Sequence, residues 1–228
     1  LFFFYLISKL INFKNINYVN FKKIYLISVF TILNKFTLIF SILIPAYLFF
    51  KNKISLKKTL LSLPTFFLIL WIIRNIITSG CLIYPQTSTC FVNLDWSNEK
   101  KTLLESHSAE AWSKDWPNRT DKNISMENYS QNFNWLTTWM NNHFKKIIEV
   151  LIPYLVILFL IIFYFKFKNK KKFYFEGVNL PLIISLFGST VFFIKFPMYR
   201  YGYSYLISLF ILSSVFLIKF YDHKKVNK

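Results

Sequence analysis

Three cationic side chains stand in segments too apolar to carry charge without a reason. Arg74 lies in WIIRNIITSGCLIYP (71 to 85), Arg200 in FPMYRYGYSY (196 to 205) and Lys35 in TILNKFTLIF (31 to 40). A charge in or near hydrocarbon costs several kcal/mol unless it faces a polar cavity or reaches headgroups. Only three of the 28 basic residues are arginines, so Arg74 and Arg200 point to the planar fork that binds phosphate through paired charge-assisted hydrogen bonds. Arg200 is flanked by Tyr199, Tyr201, Tyr203 and Tyr205, phenols suited to the same ligand. Taken alone, that segment also fits an interfacial aromatic belt with a snorkelling arginine.

Elements that position such residues follow from composition. Hydrophobic residues make up 54% of the 228 and aromatics 21%, and apolar runs of about 18 residues recur between lysine clusters, the pattern of a multi-pass helical membrane protein. The expected fold class is all-α, a polytopic transmembrane helix bundle with one Trp-rich outside loop carrying short helices. The net charge of +18 suggests nucleic acid in a soluble chain. Here the lysines lie between apolar runs, where they set topology, and nucleic acid is excluded as a partner. No signal peptide is read in LFFFYLISKL, which resembles the tail of a spanning helix, so the chain is expected to be part of something longer.

Lysine-rich segments (51 to 58, 166 to 172, 219 to 228) are placed on the cytoplasmic side, with spans at 60 to 77, 147 to 165, 177 to 195 and 203 to 219. Residues 1 to 77 then form an N-terminal membrane part, 78 to 145 a periplasmic or extracellular loop, and 146 to 228 the C-terminal spans and basic tail. Between Cys81 and Phe144 acidic residues outnumber basic ones by seven to five, as suits an outside loop of a bacterial inner-membrane protein. The segment 24 to 50 is read as two short helices, 24 to 33 and 37 to 50, meeting at Asn34-Lys35 in a V with Lys35 at its apex inside a protein-lined or wet cavity. The competing reading, one tilted helix about 40 Å long, places Lys35 in hydrocarbon and separates the flanking lysines.

The outside loop holds five of the six tryptophans. Trp135 and Trp139, four apart, are assigned to an interfacial belt, and Trp112 and Trp116 to a surface helix (106 to 116) packed on the bilayer, in preference to sugar stacking. Cys81 and Cys90 either close a short loop as a disulfide, as an oxidising outside favours, or remain thiols. His107, His143 and His223 have unrelated spacings, so no metal site is read, and no nucleotide or hydrolase motif occurs. The sequons at Asn118, Asn123 and Asn128 carry little weight in a loop rich in Asn and Ser.

The order TILNKFTLIF, then LSLPTFFLILWIIRNIITSGCLIYP, then FPMYRYGYSYL resembles the later part of the GT-C superfamily of membrane glycosyltransferases, closest to an uncharacterised bacterial branch. Lys35 falls between two short helices; Arg74, Asn75, Gly80, Tyr84 and Pro85 end a span; Pro197, Arg200 and Tyr201 precede the last helix. The resemblance implies a polyprenyl-phosphate-linked sugar bound from the outer leaflet and no cofactor. Lys35, Arg74 and Arg200 would bind phosphate, supported by Asn75, Tyr84 and Tyr201. It also implies an acidic base in the first outside loop. No Asp or Glu precedes Asp95, so the base is expected upstream of Leu1, no residue here is assigned to catalysis, and these 228 residues alone are expected to be inactive. The alternatives are a transporter or flippase for a lipid-linked glycan, and a non-catalytic membrane subunit binding a partner through the outside loop.

Overall fold

The computed structural model describes residues 2–12, 16–168 and 178–226. These residues fold as an all-helical protein in which Cys81 and Cys90 form one isolated bridge. The N-terminal part comprises α1 (Phe2–Asn12), α2 (Tyr18–Asn34), α3 (Leu43–Lys51), α4 (Leu56–Leu60) and α5 (Leu63–Ser79). The segment from 80 to 144 carries α6 (Glu99–Ser113), α7 (Met126–Ser130) and α8 (Leu136–Trp139). A π-helical turn at Met140–Phe144 joins α8 to α9 (Lys145–Lys168), and α10 (Asn179–Lys195) and α11 (Tyr199–Val226) follow. Lys170, Lys171, Lys172 and Lys228 lie outside the described residues, as does position 177. The side chains of Lys166, Lys168, Lys219, Lys224 and Lys225 lie outside them too.

The chain breaks at Lys35, whose extended backbone (φ −147°, ψ 91°) separates α2 from a tight 3-10 segment, Phe36–Ile42, that runs into α3. Local hydrogen bonding explains the break: Asn34 Nδ2 and Thr31 Oγ1 return to the carbonyls of Phe30 and Ile27 at 2.8 and 2.7 Å, and such back-bonding competes with a continuing ladder. The two arms approach closely at the buried pair Ser28 and Ser41, whose hydroxyls are 3.4 Å apart. The first arm is longer than expected. Asn17 caps it by accepting from the Asn20 amide at 3.0 Å, so α2 starts at Tyr18 and takes Lys22 and Lys23 into its first turns.

Phe3, Leu6, Phe21, Ile24, Ile44 and Leu48 form the core between α1 and this pair, closed by Ile184 and Tyr205 from α10 and α11. The antiparallel pair α10/α11 packs through reciprocal glycines: a Cβ on Gly202 would lie 2.1 Å from the Phe192 ring, and one on Gly188 would lie 2.6 Å from the Tyr205 ring. Small residues at such crossings let helix backbones approach. Replacing Gly202 by Ala should therefore overpack the pair and cost about 1–3 kcal/mol, read as a lowered thermal unfolding midpoint.

The expected spans shift in detail. Among the described residues no helix is long and apolar enough to cross a membrane. The predicted span 60 to 77 divides into α4 and α5, because Pro64 starts a new helix behind Ser62. Both α5 and α10 have 17 residues, about 26 Å at 1.5 Å per residue and roughly one turn short of a 30 Å hydrocarbon core. α9 opens on Lys145, Lys146 and Glu149. Arg200 and Tyr201 do not precede the last helix but lie in its first turn, since α11 begins at Tyr199. Two poles result: the ends of α2, α5 and α10 gather with the start of α11 and the segment carrying α6 to α8, while Tyr18 Oη donates to the Lys58 carbonyl (2.6 Å) at the opposite, lysine-rich pole.

Candidate functional site

At the first of these poles the tip of the α2–α3 hairpin meets the first turn of α11. Lys35 Nζ donates to the backbone carbonyl of Arg200, and the ammonium and the Arg200 guanidinium lie 6.0 and 5.2 Å from the ring of Tyr201. The neighbouring backbone locks this arrangement. Thr37 Oγ1 donates to the Tyr201 carbonyl at 3.3 Å, and the buried Tyr205 phenol donates back to the Thr37 carbonyl at 3.1 Å. No salt bridge engages Lys35 or Arg200 among the described residues. Two like charges held around one ring without a carboxylate repel, and an anion placed between them relieves that repulsion.

Arg74 stands apart from this pair. Its side chain is exposed, and no hydrogen bond, ion pair or ring contact joins it to Lys35 or Arg200 among the described residues. Of the three cations expected together, Lys35 and Arg200 meet, and Arg74 makes no described contact with either. The link between α5 and the hairpin tip comes one turn earlier, where Trp71 stacks on Phe36 with ring centroids 5.7 Å apart. Asn75 Nδ2 donates to the Leu82 carbonyl in the following turn at 3.1 Å. Gly80 ends α5 in the left-handed conformation (φ 74°), and Cys81 is bonded to Cys90. Tyr84 is exposed. Trp96 Nε1 donates to the Ile76 carbonyl at 3.0 Å, tying the loop onto the end of α5.

The segment carrying α6 to α8 is a packed cap with its own core. Trp135 and Trp139 are 1% and 3% exposed, packed edge-on to each other and to Phe193 of α10. The interfacial assignment of these two residues is corrected: helical spacing placed them on one face, and that face is covered by protein. Trp116 is buried as well, with the Arg119 guanidinium 3.8 Å above its ring, whereas Trp112 is exposed. Trp139 Nε1 donates to the Pro197 carbonyl at 2.9 Å, so the cap grips the turn that leads to Arg200.

Charged residues inside the cap form two groups that spacing alone did not bring together. Lys114, with its side chain 2% exposed, donates to Glu110 Oε1 (2.5 Å) and the Ser130 carbonyl (2.9 Å) and lies 5.2 Å from the Trp135 ring. The other Glu110 oxygen receives Lys195 Nζ of α10 at 3.1 Å. Burial holds the Lys114 ammonium below the ordinary lysine value, and the Glu110 carboxylate opposes that shift. Asp115, in the left-handed conformation (φ 69°), accepts from Asn118 (2.8 Å) and Asn142 (2.6 Å) and faces His143 Nε2 at 3.5 Å. The i,i+4 spacing of Glu110 and Lys114 was a legible signal for the first group. The second had none. Among the described residues no group of His, Cys, Asp and Glu is arranged to hold a metal ion.

Comparison with known proteins gives one match. The profile of a family described as a domain of unknown function, DUF8201, covers residues 1–207, a stretch that includes the hairpin tip, α5, the cap and the Arg200 turn. No curated protein and no solved structure matches the chain. The chain belongs to the DUF8201 family.

Proposed function

We propose that this protein is an integral membrane protein that binds the phosphate of a polyprenyl-phosphate-linked sugar at its outer pole, as part of a glycosyltransferase. The carrying observation is the pairing of Lys35 and Arg200 around Tyr201 without an acidic partner among the described residues. Membrane placement is supported by surfaces that water does not favour. α5 exposes Phe66, Phe67, Ile69, Leu70, Ile73 and Ile77 along one broad face and buries only Pro64, and α9 exposes a continuous series from Ile152 to Ile157. Apolar patches of this extent mark contact with lipid or protein, and a span one turn short is accommodated by local thinning and by snorkelling of flanking lysines.

In this reading the phosphate sits where guanidinium and ammonium converge, and the same two groups neutralise the departing polyprenyl phosphate. A flippase would use a similar cationic site, but the structure offers no observation that favours it. Native mass spectrometry of the protein released from detergent micelles, loaded with either polyprenyl phosphate or the uncharged polyprenol, tests the proposal. Retention of the phosphate form over the alcohol is expected. Equal retention of the two would remove the phosphate site.

A further inference from the structure

The Asp115–His143 pair has the construction of a proton-transfer site. Asp115 is buried, with 8% of its surface exposed, and His143 is its ion-pair partner among the described residues. Two departures from regular backbone hold the pair together. Asp115 takes a positive φ of 69°, uncommon for a residue with a Cβ, and His143 sits within the π-helical turn Met140–Phe144. Strained non-glycine residues and π-helical turns both concentrate at functional sites. Amides from Asn118 and Asn142 hold the carboxylate from two sides, while the imidazole lies face to face with Trp139, ring centroids 6.3 Å apart. Because Nε2 is turned toward Asp115, Nδ1 is the ring nitrogen that no described residue engages, on a side chain still 17% exposed.

We propose that His143 Nδ1 is a general base for an acceptor hydroxyl, with Asp115 as its positioning residue. In the neutral imidazole Nε2 carries the proton toward the carboxylate and Nδ1 holds the lone pair. Nδ1 takes the hydroxyl proton as the hydroxyl oxygen forms its bond to the anomeric carbon. The bond from that carbon to the phosphate oxygen breaks, its electron pair stays on the phosphate, and the proton on His143 later passes to water. Asp115 stabilises the imidazolium formed. The location suits this step: the indole that stacks on His143 also donates to the Pro197 carbonyl, three residues before Arg200. The acceptor hydroxyl, the anomeric carbon and the leaving group rest on the glycosyltransferase reading, whereas the Asp115–His143 geometry does not.

Two measurements test the pair without a known acceptor. Nitrogen NMR of the imidazoles in the intact wild-type protein at about pH 8, where an ordinary histidine is neutral, should show His143 protonated at Nε2. The opposite tautomer would overturn the proposal. Carbethoxylation by diethyl pyrocarbonate, followed by peptide mass spectrometry, should modify His143 several-fold faster than His107, and Asp115→Asn should remove that advantage. Equal rates for the two histidines, or an unchanged rate in Asp115→Asn, would leave the pair a structural staple only. Retention of polyprenyl phosphate by Asp115→Asn is expected to match wild type, so this proposal and the phosphate reading fail separately.

Discussion

Arg200→Ala should weaken retention of polyprenyl phosphate by about tenfold to hundredfold, the equivalent of losing one charged hydrogen-bonding group worth roughly 1.5–3 kcal/mol. The same variant should keep its helical circular dichroism, because the side chain projects outward from the first turn of α11. The Arg200 contribution to the hairpin contact is its backbone carbonyl, which receives Lys35 Nζ and survives any side-chain change. Arg200→Lys should fall between the two: the charge remains, but an ammonium cannot make the paired bonds of a guanidinium. Arg74→Ala is the informative comparison, since Arg74 makes no described contact with the pair, and its effect should be the smaller. Wild-type retention in Arg200→Ala would remove this residue from the site.

The hairpin around Lys35 was legible because two local signals agreed. Lysine clusters required both ends of 24 to 50 on one side, and Asn34-Lys35 supplied a break with polar side chains able to bond backbone carbonyls. Its first boundary was misplaced, since apolar periodicity begins at Ile24 whereas the helix begins at the Asn17 cap. Gathering Lys35 and Arg200 succeeded through topology, not spacing: both fall at the outer ends of predicted helices. Adding Arg74 to them failed for the same reason. Topology places α5 at the correct pole but does not say which of its faces meets the hairpin, and the Phe36 contact goes to Trp71 instead.

The cap shows where periodicity stops being informative. A four-residue spacing says that Trp135 and Trp139 share a face, and headgroups or Phe193 satisfy that face equally well in a sequence. The Asp115 site depends on Asn142, 27 residues further along the chain, and on a π-helical turn that carries no composition signal. Pairs made by tertiary closure over such a loop are visible only after the cap has packed.

The largest stability effect should come from Lys114→Ala. One partner of a buried ion pair is removed, a change that typically costs about 3–5 kcal/mol, and the lower end is expected because Glu110 keeps Lys195. What the variant leaves behind is the Ser130 carbonyl without its Lys114 donor, and a void beside Trp135 where the lysine stem packed. Lys114→Met should recover part of the loss by refilling that void. The pH dependence carries a second signature. Burial lowers the folded-state value for Lys114 below that of the unfolded chain, so across the interval between the two values the unfolded chain binds more protons. Stability contributed at this site therefore rises with pH through that interval, and is lowest below it, where the ammonium is charged in both states. Both variants should lose that alkaline rise. Thermal unfolding followed by tryptophan fluorescence, which reports on the packed Trp116, Trp135 and Trp139, measures the midpoint and its pH slope together. A wild-type midpoint in Lys114→Ala would show that the cap does not depend on this ammonium, and a wild-type alkaline slope would assign the titration to another group.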